Sequence, residues 1–165
     1  MIYFTADWHL SHKNIIKYCK RPFENISSMN ETIISNHTNS LKSGDILYYL
    51  GDYGFGVIPV LNPHVYRIIY LKGNHDAGCF WSGMPETITF KAYGYKFHLS
   101  HHIDEYIENG KTYDIYLCGH VHDRWKFKKF GKSTVINVGV DVWSFCPVSI
   151  KEIIAWHRRV QNGQM

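Results

Sequence analysis

The chain has 165 residues, 45% of them hydrophobic and 19% charged, with a formal net charge of +4. That length fits one domain over residues 1–165 with a sizeable core, the balance excludes a disordered chain, and the mild positive excess permits an anionic substrate without requiring one. No apolar run reaches the length of a membrane span, no basic leader precedes the first strand, and four scattered cysteines without a C-x-x-C pair are expected to be reduced thiols of a cytoplasm.

In chain order, residues 2–6 form a first strand candidate, and Asp7-Trp8-His9 follows at its carboxyl end. Ser11 is placed to cap a short helix over residues 12–19, which Arg21-Pro22 ends. Met29, Ile33, Ile34, His37 and Leu41 recur at helical spacing and predict an amphipathic helix over residues 28–41, with Gly44 beyond it. A buried strand over residues 45–50 ends in Gly51-Asp52, and a third over 67–71 ends in Gly73-Asn74-His75-Asp76. Between them, residues 53–64 read as loop with at most one short helix, broken by Pro59 and Pro63. Residues 87–91 and 95–100 read as a hairpin around Tyr93-Gly94, its second strand ending in His101-His102. Residues 104–111 are polar helix or loop, and residues 114–118 are a short buried strand ending in Gly119-His120-Val121-His122. Residues 134–138 and 148–156 complete the expected strands. Residues 124–130 alternate charges with aromatic rings. Such a run can stack bases over a cationic surface, but a half-buried strand with one solvated face is the simpler reading.

Five of these strands end in a small group of Asp, Asn or His. In an α/β sheet with co-oriented strands such ends share one rim, where ligands collect. The group comprises two carboxylates, one amide and several imidazoles, an O/N donor set without thiolate that suits Mn, Fe, Zn, Co or Ni better than a structural zinc. More donors are present than one ion needs, and two ions ~3.5–4 Å apart sharing a carboxylate would use them all. His12, just after the first cluster, is a candidate phosphate contact at a helix start. His37, His64, His98 and His157 have no clustered partner and read as satisfied core or surface residues.

Asp7-x-His9, Gly51-Asp52, Gly73-Asn74-His75-Asp76, His101 and Gly119-His120-x-His122 resemble, in order, the motifs of the calcineurin-like metallophosphoesterases. The run from Phe4 to Ile16 also resembles small bacterial and phage members of that family. The resemblance implies an α/β (α+β) fold, a four-layer β-sandwich of two mixed sheets flanked by helices, in place of a doubly wound sheet. It implies that Asp7, His9 and His122 hold one divalent ion, that Asn74, His101 and His120 hold a second, and that Asp52 bridges them. Manganese is the first expectation, with Fe, Zn, Ni or Co as alternatives. A hydroxide between the ions would attack the phosphorus of a small phosphomonoester or phosphodiester. His75, steadied by Asp76, would bind a phosphate oxygen or protonate the leaving alkoxide.

The adjacent His102 leaves the fourth motif open by one residue, and Tyr53-Gly54-Phe55-Gly56 replaces the polar residues that many relatives carry after the bridging aspartate. Two alternatives come from other classes. One is a non-catalytic scaffold like the retromer component, in which ligand positions are typically eroded. The other is a nuclease acting on nucleic acid, disfavoured by a short chain with no evident capping domain. The expected setting is the cytoplasm of a bacterium or phage-infected host, without a membrane partner, and no motif speaks to oligomeric state.

Overall fold

The computed structural model describes residues 1–55, 66–76, 82–103 and 112–164. Among them, strands β1 (Ile2–Thr5), β2 (Ile46–Tyr49), β3 (Arg67–Tyr70) and β9 (Val148–Ser149) form one sheet, in the order β3-β2-β1-β9. A second sheet runs β4-β5-β6-β8-β7, built from β4 (Thr87–Ala92), β5 (Tyr95–Ser100), β6 (Ile115–Cys118), β7 (Phe127–Phe130) and β8 (Ser133–Asn137). Each sheet is mixed. β1, β2 and β3 are mutually parallel with β9 antiparallel at the edge, and β5, β6 and β8 are parallel between antiparallel β4 and β7. This is the sandwich of two mixed sheets that the resemblance implies.

The period of two along each strand builds the layers. Phe4 and Tyr48 face the sandwich interior, where their rings stack with each other and with Phe90 at 5.3–6.5 Å. Leu50, Leu71, Leu99, Leu117, Ile136 and Val138 fill the same core. The alternate residues Leu47 and Tyr49 face the other way, onto Met29 and Ile33 of α2 (Ile26–Ser40). The Asn25 side chain caps α2 by accepting from the Ser28 N–H, which satisfies one of the donors a helix start leaves open. A smaller cluster of Ile103, Tyr116, Cys118 and Val135 lies on the far face of the second sheet.

Three expectations are corrected or bounded. The early helix, α1, covers only Ile15–Tyr18. Its N-cap is Asn14, whose side chain makes no capping bond, and Ser11 instead presents its backbone N–H to Asn30. The expected strand over residues 148–156 is strand only at Val148–Ser149 and then turns into helix α3 (Ile150–Gln161). The isoleucines suggested a strand, but Ser149 and Glu152 form a capping box, and Ile150, Ile153, Ile154, His157 and Val160 bury one helical face. The expected loops and short helix over 56–65, 77–81 and 104–111, with His64, Cys79 and Trp81, lie outside the described residues. Residues 127–130 form a strand at the sheet edge, but burial does not alternate as a half-buried strand over 124–130 requires: Phe127 stacks on Trp156 at 4.3 Å whereas Phe130 is exposed. Among the described residues no helix is long and apolar enough to cross a membrane.

Candidate metal centre

Both sets of parallel strands point their carboxyl ends at one rim. Asp7 and His9 follow β1, Asp52 follows β2, Asn74 follows β3, His101 follows β5, and His120 and His122 follow β6. A bridge between Ala6 and Gly139 joins the sheets there. The turns are tight enough that Asp7, His9, Asp52, His120 and His122 all adopt positive φ, between 48° and 68°. Each costs of order 1–3 kcal/mol, a strain that gathers at the chemical end of the sandwich. Gly73 is required for a different reason, since a Cβ there would run into the Asp52 carboxylate and backbone nitrogen.

The sequence-predicted ligands converge. The Asp7 carboxylate is fully buried and accepts the His120 N–H at 3.0 Å on both oxygens. Donor atoms of Asp7, His9 and His122 lie within 4.8 Å of one another, as do those of Asp7, Asp52 and His101. Asp52 Oδ1 accepts the His75 N–H at 2.9 Å, while its Oδ2 stands 3.4 Å from His9 Nε2 and 3.3 Å from His101 Nε2. Both His9 Nε2 and Asp52 Oδ2 are buried without a hydrogen-bond partner. Asn74 Oδ1 lies 3.0 Å from His101 Nε2 and 3.1 Å from His120 Nδ1. His101 Nδ1 is 2.7 Å from the Leu50 carbonyl and so carries the proton, which directs Nε2 into the centre. His102 is exposed, with its ring 4.0 Å from that of His120.

The electrostatics are those of acceptors crowded around a space. Burial would raise the Asp52 carboxyl, but the facing His101 and the His75 N–H overcome it and bring the pKa down to about 2. Burial pulls His9 down to about 3, so its 3.4 Å approach to Asp52 is not an ion pair at neutral pH. Burial, with His102 and His101 nearby, lowers His120 to about 4. Burial would also lower His101 and His122, but Asp52 raises the first to about 9 and Asp141 the second to about 10. A positive charge is therefore favoured at the two points where imidazoles meet carboxylates.

Two residues that the sequence reading did not single out complete the centre. Asp141, in a 3-10 turn after β8, lies 3.0 Å from His122 Nδ1 and is gripped by Arg21 through Nε at 2.7 Å and Nη2 at 3.0 Å. The same guanidinium donates to the carbonyls of Trp8 at 2.8 Å and Asp7 at 2.7 Å. Arg21 thus fixes the backbone that presents Asp7 and, through Asp141, the ring of His122. The only local signal was that Asp141 closes a strand–turn pattern, Asn137 to Asp141, like the others at this rim.

Asp76 differs from its expected place beside the His75 imidazole. Its carboxylate accepts the N–H groups of Asp52, Tyr53 and Gly73 at 2.8–3.0 Å. None of its described hydrogen bonds reaches the His75 ring, because the turn after β3 folds it back beneath β2's end. It shapes the loop that carries Asp52.

His75 is exposed, its ring 5.5 Å from that of His9, and it lines a cleft of about 240 Å³ with His9, His12, Tyr18, His122 and Arg124. His12 Nδ1 accepts the Ile15 N–H at 3.1 Å, which leaves the proton on Nε2. His37 is satisfied in the core by the Ile33 carbonyl at 2.7 Å and the Thr5 hydroxyl at 2.9 Å, as the sequence suggests.

Residues 2–145 match the family model described as the calcineurin-like phosphoesterase superfamily domain. The chain is 36% identical over 178 residues to uncharacterized protein MJ1445 of Methanocaldococcus jannaschii, an alignment covering 99% of this chain and 93% of that protein. Among solved structures it is similar to the protein of unknown function AQ665 from Aquifex aeolicus, with a TM-score of 0.69, 24% identity, and coverage of 94% of this chain and 98% of that one. It is also similar to wild-type Vps29 complexed with zinc from Entamoeba histolytica, with a TM-score of 0.54, 17% identity, and coverage of 84% and 73%. At these identities the two structural likenesses speak to the fold alone.

Proposed function

Because this chain belongs to the calcineurin-like phosphoesterase superfamily, we propose that it is a dinuclear metal-dependent phosphoesterase, a single domain hydrolysing small phosphomonoesters or phosphodiesters. The observation that carries the reading is the buried pair His9 Nε2 and Asp52 Oδ2, 3.4 Å apart and both without a hydrogen-bond partner. Leaving His9 Nε2 unpaired in a desolvated place is costly, and Asp52 Oδ2 meets only imidazole nitrogens at 3.3–3.4 Å, so a cation among these atoms would remove the cost. The donor set fits a divalent metal. Asp7, His9 and His122 would hold one ion, Asn74, His101 and His120 the other, and Asp52 would be shared. Manganese suits this O/N set, and Fe, Zn, Ni or Co are the alternatives.

Cations bound there would supply Lewis acidity toward phosphoryl oxygens and a water acidic enough to react near neutral pH. The chain's own groups do the rest. The His75 N–H on Asp52 Oδ1 holds the His75 loop over the cleft, so that its imidazole can donate a proton to a phosphoryl oxygen or to the departing alkoxide. His12 Nε2–H provides a second donor for phosphate. Arg124 lines the same cleft next to Asp123, which offsets its charge.

Elemental analysis of metal-loaded protein, with turnover of a chromogenic monoester and diester, tests the reading. Two ions per chain and metal-dependent hydrolysis are expected. His75→Ala should reduce turnover by ~10²–10⁴-fold while keeping both ions. Protein that binds metal but cleaves no phosphoester would instead support the scaffold reading, and a steep loss of rate with added salt would favour a nuclease.

A further inference from the structure

Resting on that reading of the centre, we propose that the ester it cleaves is a nucleotide, its base stacked on an aromatic shelf made by Tyr18, His12 and Phe55. Among the described residues five large apolar side chains are exposed. Met1, Tyr93 and Phe130 lie at the chain start, the β4–β5 turn and the end of β7. The other two, Tyr18 at 71% and Phe55 at 46% exposure, both neighbour His12, with ring centroids 6.3 and 5.0 Å from it and planes tilted by 51° and 35°. The His12 ring is in turn 5.7 Å from that of His9. Rings therefore extend outward from the centre, and the outer two, Tyr18 and Phe55, stay largely exposed.

The shelf is built into the backbone. Leu10 N–H donates to the Tyr53 carbonyl and Phe55 N–H to the Leu10 carbonyl, both at 2.9 Å, so the segment bearing Phe55 is paired to the one bearing His12. The Ile15 N–H on His12 Nδ1 fixes that ring against α1, which carries Tyr18. The His12 ring and the backbone carrying Phe55 are thus held in place before any ligand binds. The cleft beside them, about 240 Å³, is smaller than the ~300–1,000 Å³ that enclose a drug-sized ligand. In this proposal the cleft receives the phosphoryl group and sugar, and the base, one sugar further out, meets the exposed rings beside it. A platform that offers ring faces accepts any base, since each has a π-face.

AMP and ribose 5-phosphate share the phosphate and the leaving alcohol and differ by the base, so their comparison on manganese-loaded protein isolates the shelf. The measurement is kcat/KM where hydrolysis occurs and calorimetric Kd where it does not. AMP should be favoured by about tenfold or more, with UMP and GMP close to it. Phenyl phosphate, whose ring is too near the phosphorus to reach the shelf, should show no such gain. In the double variant Tyr18→Ala/Phe55→Ala, both exposed positions, the ratio of AMP to ribose 5-phosphate should fall toward one. A ratio near one in the wild type, or one unchanged in the variant, overturns the proposal. A base preference in binding without hydrolysis of any ester would leave the shelf standing and overturn the activity, whereas hydrolysis without base preference would do the reverse.

Discussion

Replacing Arg21 by Met keeps the length of the side chain and removes its charge and fork. In the native protein the guanidinium makes four contacts to oxygen at 2.7–3.0 Å, two on Asp141 and two on the carbonyls of Asp7 and Trp8. The Arg21 and Asp141 side chains are 0% and 2% exposed, so water cannot replace what is lost. Removing one member of a buried pair strands the other and costs about 3–5 kcal/mol, a large share of the ~5–15 kcal/mol that holds a typical domain. At ~1–3 kcal/mol per molar urea, the unfolding midpoint of chelator-treated protein should fall by roughly 2 M. Because the same side chain positions Asp7 and, through Asp141, His122, manganese affinity should also drop by about 10–100-fold in calorimetric titration of the folded variant. Arg21→Lys should recover part of the stability and less of the affinity, since an ammonium keeps the charge without the planar fork. A Met variant within about 0.5 kcal/mol of wild type, with unaltered manganese affinity, would refute this account of the pair.

Gly73→Ala should lose metal and stability together, because the new methyl competes for the space of the Asp52 carboxylate; metal content by elemental analysis and a thermal melt check both, and full occupancy of two ions would contradict the packing argument. Burial depresses His37 to about 3, below its unfolded value near 6.5. Its contribution is therefore complete above pH 6.5 and is lost progressively as pH falls toward 3. Urea midpoints between pH 5 and 6.5, above the main carboxylate range, should decline less steeply in His37→Gln than in the wild type, and equal slopes would show that His37 is not the source.

What could be read from the linear chain is what short-range chemistry dictates. A buried strand announces itself by apolar content, a glycine marks its end, and the polar group that follows belongs to the turn. Asp52, Asn74, His120 and His122 are legible in this way, Asp7, His9 and His101 by following a strand without the glycine, and their order supplied the resemblance. The helix after Ser149 was equally local, written in its capping box and its three- and four-residue spacing, but its isoleucines masked it.

Tertiary structure alone decided the rest, because it depends on which strand ends meet. Arg21 and Asp141 are 120 positions apart, and no periodicity in either neighbourhood points to the other. Asp76 follows His75 in the chain, yet its carboxylate serves the loops of Asp52 and Gly73, since the fold turned that side chain toward β2. Tyr18 and Phe55 are ordinary aromatics until pairing between residues 10 and 54 brings Phe55 to His12, whose ring already neighbours Tyr18 of α1. Covalent order specifies which groups are available at each strand end, but only the pairing of strands and the packing of two sheets bring the groups within bonding distance.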